Sequence, residues 1–186
     1  SIVSLTRIEP ALHPPGPEKI TISDAPIEPD ECTDEYLDEI HSNVMAWAVG
    51  QPLTTSGVFA PWACTKEFFN EVGGHDKLFA PQSKEDSDIW NRMLLKGATF
   101  TQTWRGFVFH LTCRGSRFNP KLTTPGTNSK EWEAQNWIST KNFVRKWKSM
   151  PLHDEYIHPI INTPTLLTHL IVSFVPTKQQ WEYIEP

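Results

Sequence analysis

The sequence predicts an α/β domain, a mixed sheet flanked by helices, on three observations. Segments of period-two hydrophobicity alternate along the chain with segments whose apolar residues recur at helical spacing. Capping and turn residues mark most of the boundaries between them. The 186 residues, 38% hydrophobic and including eight tryptophans, can fill one core of ordinary domain size.

The elements follow in order. Ser1–Ile8 alternates apolar and polar residues, the pattern of a half-buried strand. A sequence that opens inside a strand suggests that further strands lie upstream of it. Glu9–Pro17 is an extended loop fixed by His13-Pro14-Pro15-Gly16-Pro17, and residues 18–33, acidic and proline-interrupted, should run over the surface. Thr33 caps a helix whose face holds Tyr36, Leu37, Ile40, Val44 and Trp47 and which Gly50 ends. Ser56–Cys64 reads as a buried strand that Pro61 confines to an edge or a bulge. Thr65 caps a short helix, Lys66–Val72, stopped by Gly73-Gly74, and the loop His75–Ser83 leads to an acidic helix. That helix opens Lys84-Glu85-Asp86-Ser87-Asp88, buries Ile89, Trp90, Met93 and Leu94, and ends near Gly97. Thr99–Trp104 and Phe107–Leu111 are two strands separated by Arg105-Gly106, and Thr112–Lys130 is a polar loop. Ser129 begins the last amphipathic helix, through Trp137, Phe143, Val144 and Trp147. Residues 1–150 form the domain and 151–186 an extension docked on it.

Composition excludes several functions. A net charge of -5, with no basic stretch able to track phosphates, argues against nucleic-acid binding. Three scattered cysteines, Cys32, Cys64 and Cys113, fit free thiols in a reducing, cytoplasmic setting better than a disulfide framework. No signal-peptide pattern opens the sequence. The longest apolar run, Leu166–Val175, is interrupted and too short for a transmembrane segment.

Glu85, Asp86 and Asp88 are the strongest candidates for chemistry. Carboxylates at a helix start can do acid–base work at the mouth of a cleft, or they can merely cap the helix. Asp86-Ser87-Asp88 also spells a D-x-D pattern, which is unspecific as a cation ligand. His110 ends an apolar strand and is followed by Arg114 and Arg117. It is either an ordinary core histidine or a neutral metal ligand beside two phosphate-binding guanidiniums. Trp62, Trp90 and Trp104 can stack on a sugar ring, although tryptophans are by default core residues. A phosphate-binding glycine loop, a dinucleotide fingerprint and a serine elbow are all missing.

One ordered run resembles a known family. A strand at Gly57–Cys64, the turn Glu71-Val72-Gly73-Gly74-His75-Asp76-Lys77-Leu78-Phe79, then Glu85-Asp86-x-Asp88-x-x-x-Arg92 and a strand ending in His110 resemble the acceptor-side half of GT-A glycosyltransferases of family 2. Thr6-Arg7-Ile8-Glu9-Pro10 with His13–Lys19 is similar to members from viruses and environmental bacteria. The likeness covers residues 1–147 and is most specific from Gly73 to Arg92. It implies a GT-A-like fold, Asp86 (or Glu85) as the base that deprotonates an acceptor hydroxyl, and Trp62, Asp88 and Trp104 toward the acceptor. It also implies His110 in the shell of a Mn2+ or Mg2+ ion and Arg114 and Arg117 on the donor diphosphate. The partners would be a nucleotide-sugar donor and a carbohydrate acceptor. The family's nucleotide-binding half would precede Ser1, and a second copy of the chain is one candidate to cover the sheet edge left behind.

Two alternatives stay open. A non-catalytic carbohydrate-binding or assembly module would use the tryptophans for stacking and the acidic helix as a cap. A metal-dependent hydrolase would need a fuller His/Asp ligand set than the sequence offers.

Overall fold

Strand β1, Ile2–Pro10, is the axis of a four-stranded mixed sheet in the computed structural model, which describes residues 1–112 and 128–153. Its even-numbered side chains Ile2, Ser4, Thr6 and Ile8 are buried, as the alternation predicts. Along one edge runs β4, Phe100–Phe109, parallel to β1 from Ile2↔Phe100 to Ile8↔Phe109. The other edge is shared. β2, Lys19–Ile22, pairs parallel with Arg7–Pro10, and β3, Trp62–Ala63, pairs antiparallel with Val3 and Ser4.

The sheet departs from the sequence expectation in three places. Residues 19–22 form β2 rather than surface loop. A short strand between prolines shows too little periodicity to announce itself, and its pairing with β1 supplies what pattern does not. The strand expected over Ser56–Cys64 shrinks to β3, because Pro61 has no N–H to donate and the chain before it turns through Gly57. A Cβ on Gly57 would lie 2.5 Å from the Glu18 backbone nitrogen, so two loops meet there at a separation only glycine allows. The two strands expected around Arg105-Gly106 are one. The register with β1 jumps from Leu5↔Thr103 to Thr6↔Phe107, so Trp104, Arg105 and Gly106 form a bulge within β4.

The helices lie where capping and periodicity place them. α1 is Asp34–Ala48, α2 Lys66–Glu71, α3 Glu85–Leu95 and α4 Lys130–Trp147. Thr33, Thr65 and Ser129 each accept from the backbone N–H three residues on, satisfying a donor the helix itself cannot. α1 packs on β4 through Tyr36 against Phe109 and Trp47 against Trp104. Ile89, Trp90 and Met93 of α3 join Ile2, Val72 and Phe100 in the main core. Phe143 and Trp147 of α4 close a second core over Phe79.

Among the described residues no helix is long and apolar enough to cross a membrane. Leu53–Thr55 runs beside β4, with Thr55 N–H on the Gln102 carbonyl and Trp104 N–H on that of Leu53, so that sheet edge is partly covered by the chain itself. The extension placed at 151–186 falls outside the described residues from 154 onward.

Candidate functional site

Gly73 and Gly74 start the site. Their φ angles of +87° and +63° belong to the left-handed region, so the chain can leave α2 and double back toward α3. Arg92 of α3 secures that turn by donating to the carbonyls of Val72 and Gly74. The chain then runs through a 3-10 turn, Lys77–Phe79, to α3.

α4 straps this loop down along its length. Asn142 donates to the Leu78 carbonyl, Gln135 to that of Ala80, and Ser139 to that of Gln82. Ser83 and Lys84, immediately before α3, both have left-handed backbones, with φ of 78° and 66°. Each such non-glycine residue costs about 1–2 kcal/mol. Asn136 of α4 offsets this by accepting from Ser83 Oγ at 2.6 Å and Lys84 Nζ at 3.0 Å.

The strained turn delivers Glu85 and Asp86 to a cleft of about 430 Å³ that they line with His75, Asp76, Lys77, Phe79, Ala80 and Pro81. Burial pushes the Asp86 carboxyl above its ordinary range, although His75 and a hydrogen bond with Trp62 pull the other way. Burial also pushes Glu85 up, with a smaller push from the charge of Asp86, against pulls from its backbone hydrogen bond, His75 and Lys84. Glu85 Oε2 is buried and meets no hydrogen-bond donor among the described residues. The Trp62 ring lies 6.3 Å from that of His75. Glu85, Asp86 and Trp62, chosen from the sequence, therefore come together. The sequence expectation does not include His75; its place directly after Gly73-Gly74 is the signal that marks it.

Asp88 does not join them. It is fully buried, and its two oxygens meet Arg92 at 2.8 and 2.9 Å, Lys146 at 2.7 Å and the Trp147 indole at 2.8 Å. The acceptor contact expected of Asp88 is replaced by a structural one, a clamp of α3 to α4. Lys146 also reaches Asp76 at 2.7 Å, so the clamp extends to the cleft loop. Trp104 is not in the cleft either; it stands in the β4 bulge, edge-on to Trp47 with ring centroids 4.9 Å apart. Trp90 is core, 5% exposed.

A second polar cluster lies where β1 and β4 end. Glu9 is 2% exposed and binds Arg7 at 3.0 Å, Lys19 at 3.2 Å and His110 Nδ1 at 2.9 Å. Glu18 bonds Arg7 at 3.3 Å, and the Arg7 guanidinium lies 4.4 Å from the Phe59 ring centre. Burial alone would raise the Glu9 carboxyl, but the His110 hydrogen bond and the Arg7 and Lys19 charges outweigh it and hold the group down to about 2. Phe59 also packs on Trp90, which ties this cluster to α3. Arg7 and Glu9 point to one side of a strand, a spacing the sequence displayed without revealing the partners.

No protein-family model, no curated protein and no solved structure matches this chain.

Among the described residues no group of three or more His, Cys, Asp or Glu side chains is placed to hold a metal ion. The oxygens of Glu9 and Asp88 are already engaged by cations, and His110 brings a single nitrogen. These residues do not by themselves supply ligands for the expected Mn2+ or Mg2+. Arg114 and Arg117 lie outside the described residues.

Proposed function

We propose that this chain is the acceptor-binding portion of a glycosyltransferase with a GT-A-like fold, moving a sugar from a nucleotide-sugar donor to a carbohydrate hydroxyl, with inversion. The observation that carries the reading is the pair Glu85–Asp86. Both carboxyls are raised by burial, they face one cleft, and a strained turn holds them there. Backbone strain of this kind persists where the surrounding structure enforces it, and it gathers at active sites. A carboxylate raised toward the working pH is a better proton acceptor than an ordinary one.

In this reading Asp86 takes the proton of the acceptor hydroxyl as its oxygen attacks the anomeric carbon of the donor, and the nucleoside diphosphate departs with the bonding electrons. The Trp62 indole N–H orients the Asp86 carboxylate, and its ring offers a face to the acceptor. A Mn2+ or Mg2+ ion serving the diphosphate would have His110 in its shell, as the resemblance implies, and would need further ligands beside it. A reducing cytoplasm suits the free thiols of Cys32 and Cys64.

The test is transfer from labelled UDP- and GDP-sugars to an oligosaccharide pool by an active form of the protein, with and without Asp86→Asn. Turnover lower by about 100-fold or more, with donor affinity kept, is expected from loss of a general base. Unchanged turnover would overturn the assignment.

A further inference from the structure

Of the four α-helices described, three begin under a capping hydroxyl and α3 does not. Thr33, Thr65 and Ser129 each accept from the backbone N–H three residues on, while Lys84, at the corresponding position of α3, makes no side-chain cap bond. A small polar side chain is strongly preferred there, because a helix start leaves donors that its own ladder cannot satisfy. Ser83, one residue earlier, carries a hydroxyl, but that hydroxyl donates to the side chain of Asn136 instead. The start of α3 is therefore oriented from outside the helix.

The orientation comes from α4. Lys146, Asn142, Gln135 and Ser139 hold Asp76, Leu78, Ala80 and Gln82, which fixes the loop as far as Gln82. Asn136 takes the next two residues with a single atom, its Oδ1 accepting from Ser83 Oγ at 2.6 Å and from Lys84 Nζ at 3.0 Å. An ammonium can only donate, so the amide must present its oxygen here. Ser83 and Lys84 are also the residues with left-handed φ, 78° and 66°, ahead of α3. The two hydrogen bonds, one of them charge-assisted, are of the same order as the strain of two such residues. Without the bonds, the backbone can return to the regions an L-residue favours, and a rotation at Lys84 swings the first turn of α3. Glu85 and Asp86 are the next two residues, and both line the cleft.

We propose that Asn136 is the positioning residue of the Glu85–Asp86 pair: its Oδ1 holds Ser83 and Lys84 left-handed, and this turn keeps both carboxyls in the cleft. The proposal rests on the reading of that pair as the reactive groups, and its test reads a carboxyl rather than turnover.

The experiment is a carbon-13 carboxyl titration, beside urea unfolding, of the chain and of Asn136→Leu, a change of similar size that removes the acceptor. The Asp86 signal is identified by its loss in Asp86→Asn. In the parent chain Asp86 should titrate above the ordinary carboxyl range, as its burial requires. In Asn136→Leu the turn relaxes, the carboxyl meets water and its titration should fall back toward that range. In Asn136→Asp, which keeps an oxygen facing both donors, it should stay raised. A tie that only joins α4 to the loop would lower the urea midpoint and leave the Asp86 titration where it was. An unchanged Asp86 titration in folded Asn136→Leu, or an ordinary one in the parent chain, would therefore overturn the proposal. If Asn136→Leu does not fold, Ser83→Ala, which removes the shorter of the two bonds, is read on the same criterion. Failure of Asp86→Asn to reduce transfer would remove the glycosyltransferase reading and leave these titrations untouched.

Discussion

Asp86 and Asp88 stand two residues apart in the first turns of α3 and meet opposite surroundings. Asp88 points into the protein, where Arg92, Lys146 and Trp147 supply a donor to every face of its carboxylate. Asp86 opens on a cleft, where burial is only partly compensated by His75 and Trp62. A helix turns about 100° per residue, so positions i and i+2 face well apart, and a D-x-D read along the sequence joins side chains with different tasks. Charge that is fully paired holds a fold together; charge left partly unpaired in a cleft stores reactivity at some expense of stability.

The largest effect expected from breaking this contrast is catalytic, the loss of about 100-fold or more in transfer on Asp86→Asn. Next comes Asp88→Ala. Removing one member of a buried, fully paired network should lower unfolding free energy by about 3–5 kcal/mol, read from urea denaturation by tryptophan fluorescence. A loss under about 1 kcal/mol would mean that the clamp is ornamental.

Glu9 extends the comparison to pH. Its folded value of about 2 lies below the ordinary 4.5, so its contribution is complete above about 4.5 and lost as pH falls through that interval. The difference is worth at most about 3.4 kcal/mol. Urea midpoints followed from pH 5 to pH 2 should fall, and more shallowly in Glu9→Gln; parallel slopes would remove Glu9 from the explanation. The smallest effect belongs to Trp62→Phe. Without the indole donor, the Asp86 carboxyl should rise further, visible in a carbon-13 carboxyl titration. A fall would reverse the role given to Trp62.

Much of this fold is legible in the sequence because the signals are local. Thr33, Thr65 and Ser129 announce their helices, Gly73-Gly74 announces a turn, and the alternation in β1 announces a buried face. What stays hidden is set by partners far along the chain. β2 takes its register from β1, and the pieces around Arg105 become one strand only because β1 runs past both. The site divides in the same way. Glu85, Asp86 and Trp62 could be picked from residue type and spacing. The burial of Asp88 could not, because its partners Lys146 and Trp147 lie nearly 60 residues further on. The role of Glu9 is hidden for a similar reason, since His110 meets it from 101 residues away.

The most direct measurement is urea unfolding of Asp86→Asn and Asp88→Asn side by side at pH 7. A carboxyl raised by the fold opposes folding once pH exceeds its ordinary value, so neutralising Asp86 should leave stability unchanged or raise it by up to about 1 kcal/mol. Asp88→Asn, which strips charge from a saturated clamp, should lose about 3 kcal/mol. Equal losses in the two variants would contradict the division of labour on α3 and return both aspartates to the role of structural caps.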